Sequence, residues 1–462
     1  MKNTTKNERE GLGSRLGFIL LSAGCAIGLG NVWKFPYMVG QHGGGLFVLI
    51  YIAFLLIFGI PIMTMEFSLG RASRKSPVKM YKELEPRGSK WHFHGYAAFI
   101  GNIILMMFYT TVSGWLLSYF IKTVSGSFEG LGAAAVTAEF GNTVSDPVGQ
   151  IIFMGIAVTL GALVCSLGVK KSLERVTKVM MIALLFLMLA VAVNGFFLDG
   201  AGEGLKFYLV PNFEGIGAKD VFNIIVGAMS QAFFTLSIGV GSMAIFGSYI
   251  DKKRSLLGES ISIAAVDTFV AFVSGLIIFP ACFTYNDGNV GAGPPLIFET
   301  LPNVFCNMPL GRLWGTLFFL FLSFAALSTV FAVFENIIAC LMEMTGLGRV
   351  KSSIICGVGI FVLSIPCILG FNLWSSFAPF GGDSTVLDLE DFAVSNVLLP
   401  IGSLIFVLFC TSKHGWGWDN FIEEANSGEG LKIKSWMHAY IKYVLPVLLL
   451  IFCIINIVTF FA

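Results

Sequence analysis

Gly24-Cys25-Ala26-Ile27-Gly28-Leu29-Gly30-Asn31 and Ser237-Ile238-Gly239-Val240-Gly241-Ser242 are the stretches on which the fold turns, because each sets glycines in the middle of a long apolar run. Glycine inside a helix costs about 1 kcal/mol against alanine. Backbone groups freed by a break are tolerated inside a membrane only where protein or a water-filled cavity satisfies them. Either stretch alone also fits close helix packing through small residues. Their placement argues for more. They fall in the first and sixth apolar segments, corresponding positions of two five-helix halves, as in transporters built from an inverted repeat with broken helices at the midplane.

Working outward, the whole chain of 462 residues has the composition of a membrane protein, with 56% hydrophobic residues, 12% charged residues and a mean hydropathy of +0.82. Apolar runs fall at 14–38, 44–70, 95–124, 148–168, 174–198, 219–249, 257–284, 312–345, 353–371, 391–411 and 437–461, which predicts eleven membrane-spanning helices. The halves are then 14–205 and 206–412, preceded by a segment at 1–13 and followed by a linker and last span at 413–462.

Lys2, Lys6, Arg9, Arg15, the stretches 71–90, 170–178 and 252–254, Arg349, Lys351 and Lys413 all fall on the N-terminal side of this topology. Lys122, Lys206, Lys219 and Arg312 are left for the other. The bias predicts a cytoplasmic N-terminus and an extracytoplasmic C-terminus in an inner or plasma membrane. Lysines precede the first run, but it contains Asn31 and Lys34 and lacks a small-residue cleavage site, so no cleaved leader is expected. Of nine cysteines most lie inside apolar runs, where a thiol packs as a small hydrophobe. Cys282 and Cys306 flank a polar segment, and their pairing is left open. No basic patch for nucleic acid is present.

At this point the chain resembles the neurotransmitter:sodium symporters, the family of the LeuT fold. The motifs that carry the resemblance are Arg15-Leu16-Gly17-Phe18 leading into Ala26-Ile27-Gly28-Leu29-Gly30-Asn31-Val32-Trp33-Lys34-Phe35-Pro36-Tyr37, then Gly43-Gly44-Gly45, Gly59-Ile60-Pro61 with Glu66, and Gln231-Ala232-Phe233-Phe234-Thr235-Leu236-Ser237. The resemblance implies an all-α protein with a five-plus-five inverted repeat and helices one and six broken, in the eleven-span form of bacterial relatives. It also implies sodium-coupled uptake of a small amino acid.

In that family, backbone amides at the first break and a third-span tyrosine meet the substrate carboxylate, which maps here to Leu29, Gly30 and Tyr109. The remaining substrate contacts map to Cys25, Ala26, Gly28, Leu105, Phe234, Thr235, Ser237, Val240, Thr329 and Val333, with Phe234 and Tyr109 as the cap. A first sodium maps to Ala26, Asn31, Thr235 and Asp267, and a second to Gly24, Ile27, Ala325, Ser328 and Thr329. Sodium is a hard cation that suits such oxygen donors. Hydroxyls in helices also bond back to the preceding turn, which leaves a plain structural role open for Ser328 and Thr329. The closures map to Lys34 with Asp391 on one side and Arg9 with Glu343 on the other. Lysine stands where arginine is commoner and lacks its fork.

Asp267 lies in mid-span, where an ionisable residue is a functional candidate. Many members carry asparagine here beside a bound chloride, so a fixed carboxylate implies transport without chloride. Thr268 or Ser262 satisfying it locally is the plain alternative. Glu66 is expected to hold the unwound part of the sixth span. The apolar lining implies a neutral, hydrophobic substrate, aliphatic or aromatic. Val240 and Cys25 replace larger residues of the leucine-transporting relative and leave room for a larger side chain, yet a methylene or two is worth only about 1–3 kcal/mol in selectivity. Partial drive by protons through Asp267, Glu66 or Glu335, and an uncoupled channel or sensor on the same fold, stay open as alternatives. An enzyme is not expected, since no zinc-protease helix motif, nucleophile elbow or paired intraspan aspartates occur.

Overall fold

The structure is a computed structural model that describes residues 11–286, 288–290 and 293–461, the side chains of 459–461 excepted. Among the described residues nine helices are long and apolar enough to cross a membrane: Gly45–Ser73, His92–Val124, Pro147–Ser166, Val169–Gly195, Leu256–Tyr285, Gly311–Thr345, Arg349–Leu369, Val386–Thr411 and Met437–Val458. A tenth is the pair Arg15–Ala26 and Gly30–Gln41, bent by 58° at the first glycine break. The sixth apolar run is likewise divided, into Ala218–Thr235 and Ser242–Gly247. These segments fall in the eleven places the hydropathy pattern marks.

Gly311–Thr345 and His92–Val124, the eighth and third spans, pack along one another at the centre, and the first, fourth and fifth lie against the eighth. Around this axis the glycines are contact residues. A Cβ at Gly161 would stand 2.5 Å from the Phe334 ring, and one at Gly275 would stand 2.2 Å from the Tyr208 ring. Glycine is what lets the fourth span close on the eighth, and the seventh on the short helix Ala201–Leu209, to packing distance.

A widened π-turn occurs in four spans, at Gly30–Lys34, Leu55–Gly59, Phe392–Leu398 and Tyr440–Val444, and another, Leu296–Thr300, leads into the short helix Leu301–Asn307. Each is followed two residues later by a proline, at Pro36, Pro61, Pro302, Pro400 and Pro446. Proline offers no N–H to the carbonyl four residues back and its ring crowds that carbonyl. The wider turn relieves the clash and re-aims the side chains of that turn. Val394 and the Lys34 ammonium both sit on such turns.

The hydropathy pattern does not mark the short helices that cap the bundle. Pro77–Leu84 and Trp418–Ala425 lie on the face that carries residue 11, whereas Ala133–Ser145, Ala201–Leu209 and Leu301–Asn307 lie on the other. On the N-terminal face Arg71, fully buried, ties the end of the second span to the 251–254 loop and the helix Trp418–Ala425. Its Nε meets Glu424 Oε1 at 2.6 Å, its Nη1 donates to the Arg254 carbonyl at 2.7 Å and its Nη2 donates to the Glu424 carbonyl. Lys252 meets the second oxygen of Glu424 from the solvent side at 2.6 Å. Cys282 and Cys306 are both free thiols, one buried and one exposed, which removes the disulfide.

Removing one partner of a buried, hydrogen-bonded ion pair strands the other charge and costs about 3–5 kcal/mol, whereas an exposed pair is worth about 1 kcal/mol or less. Arg71→Ala is therefore expected to lower the thermal midpoint of the detergent-solubilised protein far more than Lys252→Ala, which leaves Glu424 its buried partner. Equal losses in a thermal unfolding series would refute the assignment of Arg71 as the tie.

Candidate functional site

The two breaks face each other. Helix Arg15–Ala26 stops because Ile27 turns to an extended conformation, φ −71° and ψ 106°. The freed groups find side-chain partners. The Gly28 N–H donates to Asn31 Oδ1 (3.1 Å), the Leu29 N–H to the Tyr109 hydroxyl oxygen (3.0 Å), and Gln231 Nε2 to the Gly30 carbonyl (2.7 Å). Tyr109 thus accepts from the break and keeps its own O–H as a donor at the cavity wall. A Cβ on Gly28 would stand 2.1 Å from that hydroxyl, so no larger residue fits beside it.

In the sixth span Gly239 and Gly241 take φ of +102° and +71°, and Ser237 reaches +50°. Left-handed backbone explains glycine at the first two. The turn is held by Glu66 of the second span, whose Oε1 accepts the Gly239 N–H at 2.6 Å and whose Oε2 accepts the Met243 N–H at 3.1 Å. Asn102 of the third span completes the support. Its Nδ2 donates to the Val240 carbonyl (2.8 Å), and its Oδ1 accepts from the Ser242 hydroxyl (3.1 Å).

Asp267 is fully buried on the seventh span beside the first break. Asn31 Nδ2 donates to its Oδ1 (2.8 Å) and to its carbonyl (3.1 Å), and the Thr235 hydroxyl donates to its Oδ2 (3.1 Å). Thr268 and Ser262 do not serve it; they bond back to the Ala264 and Gly258 carbonyls of their own helix. No cationic side chain stands within ion-pair distance of Asp267 among the described residues. Asn31, Thr235 and Asp267 therefore form one cluster, with Ala26 in the turn before the break.

The other proposed oxygen set also converges. The Thr329 hydroxyl lies 3.2 Å from each of the Gly24 and Ile27 carbonyls, bridging the eighth span to the end of the first half-helix. Ser328 bonds back to the Ala325 carbonyl at 2.9 Å. Thr329 departs from the plain back-bonding role in reaching across to another span, while Ser328 keeps it.

Between the breaks lies a cavity of about 20 Å³, room for about one water. Of the expected substrate contacts, Cys25, Ala26, Gly28, Gly30, Leu105, Tyr109, Phe234, Ser237, Val240 and Thr329 line it. Leu29, Thr235 and Val333 do not: Leu29 turns its N–H to Tyr109, Thr235 turns its hydroxyl to Asp267, and Val333 is packed in the core one turn beyond Thr329. Val394 and Leu399 of the tenth span also line it, and neither carries a sequence signal. Asn102 was open to detection as a lone amide in a long apolar run. A larger cavity of about 880 Å³, among Thr123, Phe128, Arg312 and Phe319, takes none of the expected residues.

Above the cavity Lys34 Nζ stands 3.7 Å from Asp391 Oδ2 and 4.1 Å from the centre of the Phe234 ring. On the N-terminal face, Glu174 accepts from the Gly13 N–H (2.7 Å) and the Ser14 hydroxyl (3.1 Å), and Arg15 pairs with buried Glu259 at 2.8 Å. Arg9 lies outside the described residues; Glu343, its expected partner, accepts from the Ser76 N–H and hydroxyl. Glu335 is met by Arg349 at 2.6 Å and the Tyr249 hydroxyl at 2.6 Å.

Facing half-helix ends, a cavity between them and a separate closing contact on each side define a membrane transporter of the broken-helix class. The profile of the sodium:neurotransmitter symporter family matches residues 9–130 and 138–462, and the chain belongs to that family, which consists of sodium-dependent transporters and not of enzymes. It is 38% identical to YhdH, an uncharacterized sodium-dependent transporter of Bacillus subtilis, over 87% of each chain. It is 31% identical to an uncharacterized sodium-dependent transporter of Haemophilus influenzae, over 98% of this chain and 99% of the relative. It also superposes on the crystal structure of MhsT in complex with L-phenylalanine, with a TM-score of 0.87 and 33% identity over 96% of this chain and 99% of that one. The fold is therefore the LeuT type, with its inverted repeat and eleven helices.

An unsatisfied buried donor costs about 1–3 kcal/mol. Glu66→Ala, which strips acceptors from both Gly239 and Met243, is expected to destabilise the protein more than Glu66→Gln, which keeps one acceptor oxygen. Thermal unfolding of both variants in detergent checks this, and the reverse order would exclude Glu66 as the support of the turn.

Proposed function

We propose that this symporter imports a neutral, hydrophobic L-amino acid, aliphatic or aromatic, by alternating access, with two sodium ions and without chloride. The observation that carries the reading is Asp267: a fully buried carboxylate held by neutral donors beside the first break, with no cationic side chain at ion-pair distance among the described residues. An isolated buried charge is strongly unfavourable. A sodium ion between Asp267, Asn31, Thr235 and the Ala26 carbonyl supplies the missing positive charge with hard oxygen donors. The fixed carboxylate takes the part that chloride plays in relatives such as the sodium- and chloride-dependent taurine transporter of Bos taurus, 26% identical over 96% of this chain.

The second sodium takes the Gly24, Ile27 and Ala325 carbonyls with Ser328 and Thr329. The substrate carboxylate faces the N–H groups at the Gly28–Gly30 turn and the Tyr109 hydroxyl, where a half-helix N-terminus favours negative charge. Its side chain lies among Leu105, Phe234, Val240, Val394 and Leu399, an apolar wall without a second charge. MhsT, bound to phenylalanine, supports a hydrophobic substrate. Lys34, Asp391 and Phe234 form the outer closure, and the face that carries the N-terminus is cytoplasmic, as the distribution of lysine and arginine favours.

Binding of labelled amino acids to the purified protein is expected to favour leucine-sized and aromatic substrates, and to occur in sodium but not in potassium. Equal binding in both salts would sink the sodium reading. Uptake into vesicles is expected to persist when gluconate replaces chloride at constant sodium. Asp267→Asn removes the charge at constant shape; a loss of 1.4 kcal/mol corresponds to tenfold, and the sodium affinity is expected to fall by at least about that factor and to recover in part with added chloride.

A further inference from the structure

The tenth span begins with two adjacent acids in opposite circumstances. Asp391 is about one-third exposed, pairs with Lys34 at 3.7 Å and accepts from the Ser395 hydroxyl at 2.6 Å. Glu390, about 100° away around the same helix, is only 5% exposed, and among the described residues no amide, hydroxyl or cationic donor meets either of its carboxyl oxygens, the weak thiol donor of Cys367 being the group beside it. Its helix, Val386–Asp391, is packed between the third and ninth spans.

The surroundings offer no counter-charge. From the ninth span the buried Cys367 thiol lies beside Glu390. From the third span comes Thr111, whose hydroxyl donates to the Met107 carbonyl. Lys122, at the end of the third span, is engaged by Glu139 at 2.7 Å. On its own helix stand two further acids, Asp391 and Asp388, the latter capping the Thr385 N–H at 2.7 Å. The turn that follows, Phe392–Leu398, contains no ionisable residue. A carboxylate here is desolvated with only a weak thiol donor beside it, and burying an unpaired charge in this way is strongly unfavourable.

We infer that Glu390 is a proton-binding site linked to the outer closure: it carries a proton while Lys34 and Asp391 are together, and gives it to water when the start of the tenth span moves away and becomes hydrated. In the open state Glu390 behaves as an ordinary glutamic acid, with a pKa of about 4.3. Closure then takes up a proton from the outer side at neutral pH. By linkage, protons favour the closed form, and closing weakens as pH rises. The adjacent position of Asp391 supplies the mechanism, because any rotation that parts Asp391 from Lys34 also turns Glu390.

The inference rests on the outer-closure reading above, and the test separates the two. Infrared difference spectra of wild type against Glu390→Gln, recorded at neutral pH in sodium and saturating L-phenylalanine, which hold the outer side closed, are expected to show the stretch of a protonated carboxyl that the variant lacks; its absence overturns the proton site. Binding of L-phenylalanine in constant sodium, measured from about pH 5 to about pH 9, reads the linkage. The wild type is expected to lose affinity as pH rises, approaching tenfold per pH unit for uptake of one proton. Glu390→Gln, which mimics the protonated acid, is expected to match the wild type at the acid end and to lose that slope. Slopes that coincide in the two proteins overturn the link to closure. Should the variant fail to fold, proton uptake from weakly buffered solution on adding L-phenylalanine to the wild type decides, and no uptake overturns the link. Failure to bind L-phenylalanine at any pH counts against the substrate reading, and the infrared comparison is then made in saturating leucine, so that the two readings fail separately.

Discussion

The structure depends on one constraint: a helix broken inside an apolar bundle must find a partner for every backbone group the break releases. Two breaks lie in this chain, and their partners come from four other spans. Asp267, Tyr109 and Thr329 reach the first, and Glu66 and Asn102 reach the second. Gln231 and Thr235, from the sixth span, tie one break to the other. The site is therefore not an addition to the fold. It is where the fold pays its backbone debt with side chains, and the same side chains that satisfy the breaks are the ones available to a cation or a carboxylate.

The two breaks are satisfied differently. The sixth-span turn rests on Glu66, whose two carboxyl oxygens face N–H groups and need nothing further. The first leans partly on groups with valence to spare. Tyr109 and Thr329 are hydroxyls shared with the cavity wall, and Asn31 holds the Gly28 N–H with one end and Asp267 with the other. A ligand arriving at the first break changes partners that are already part of the scaffold. Binding there can alter the angle between half-helices, which stands at 58°, without opening a gap in the core.

Much of this was legible in the residues. Hydropathy placed the spans because a lipid-facing helix has little choice of composition, and glycine marked the breaks because only it takes φ of +102° at Gly239 readily or leaves out, at Gly28, a Cβ that would stand 2.1 Å from a tyrosine hydroxyl. Glu66 and Asp267 were visible as acids with no business in an apolar run. The short capping helices were not legible, since eight residues such as Pro77–Leu84 need only one apolar face and leave no long hydropathy signal. Val394 and Leu399 were equally silent: nothing distinguishes a valine at a cavity wall from one against lipid until the π-turn before Pro400 has re-aimed it. The N-terminal anchors, Glu174 and Glu259, escaped because their partners lie 160 and 244 residues away in sequence.

The closures also differ in strength, and the difference bears on how the molecule moves. Lys34 and Asp391 are both partly hydrated and 3.7 Å apart, and such a pair is worth about 1 kcal/mol or less, with a similar amount from the ammonium over Phe234. A lysine, a point charge on a flexible stem, adds no directional fork. On the opposite face Gly13, Ser14 and Arg15 are held by two carboxylates, both nine-tenths or more buried, across two spans, and Gly17 leaves no room for a side chain beside Glu174. Opening on the Lys34 side breaks one weak, wet contact. Opening on the N-terminal side must strip at least two buried carboxylates of their donors. Left to itself, the molecule is therefore biased toward opening first where Lys34 stands, and the harder opening is the one that ligand at the first break has to help.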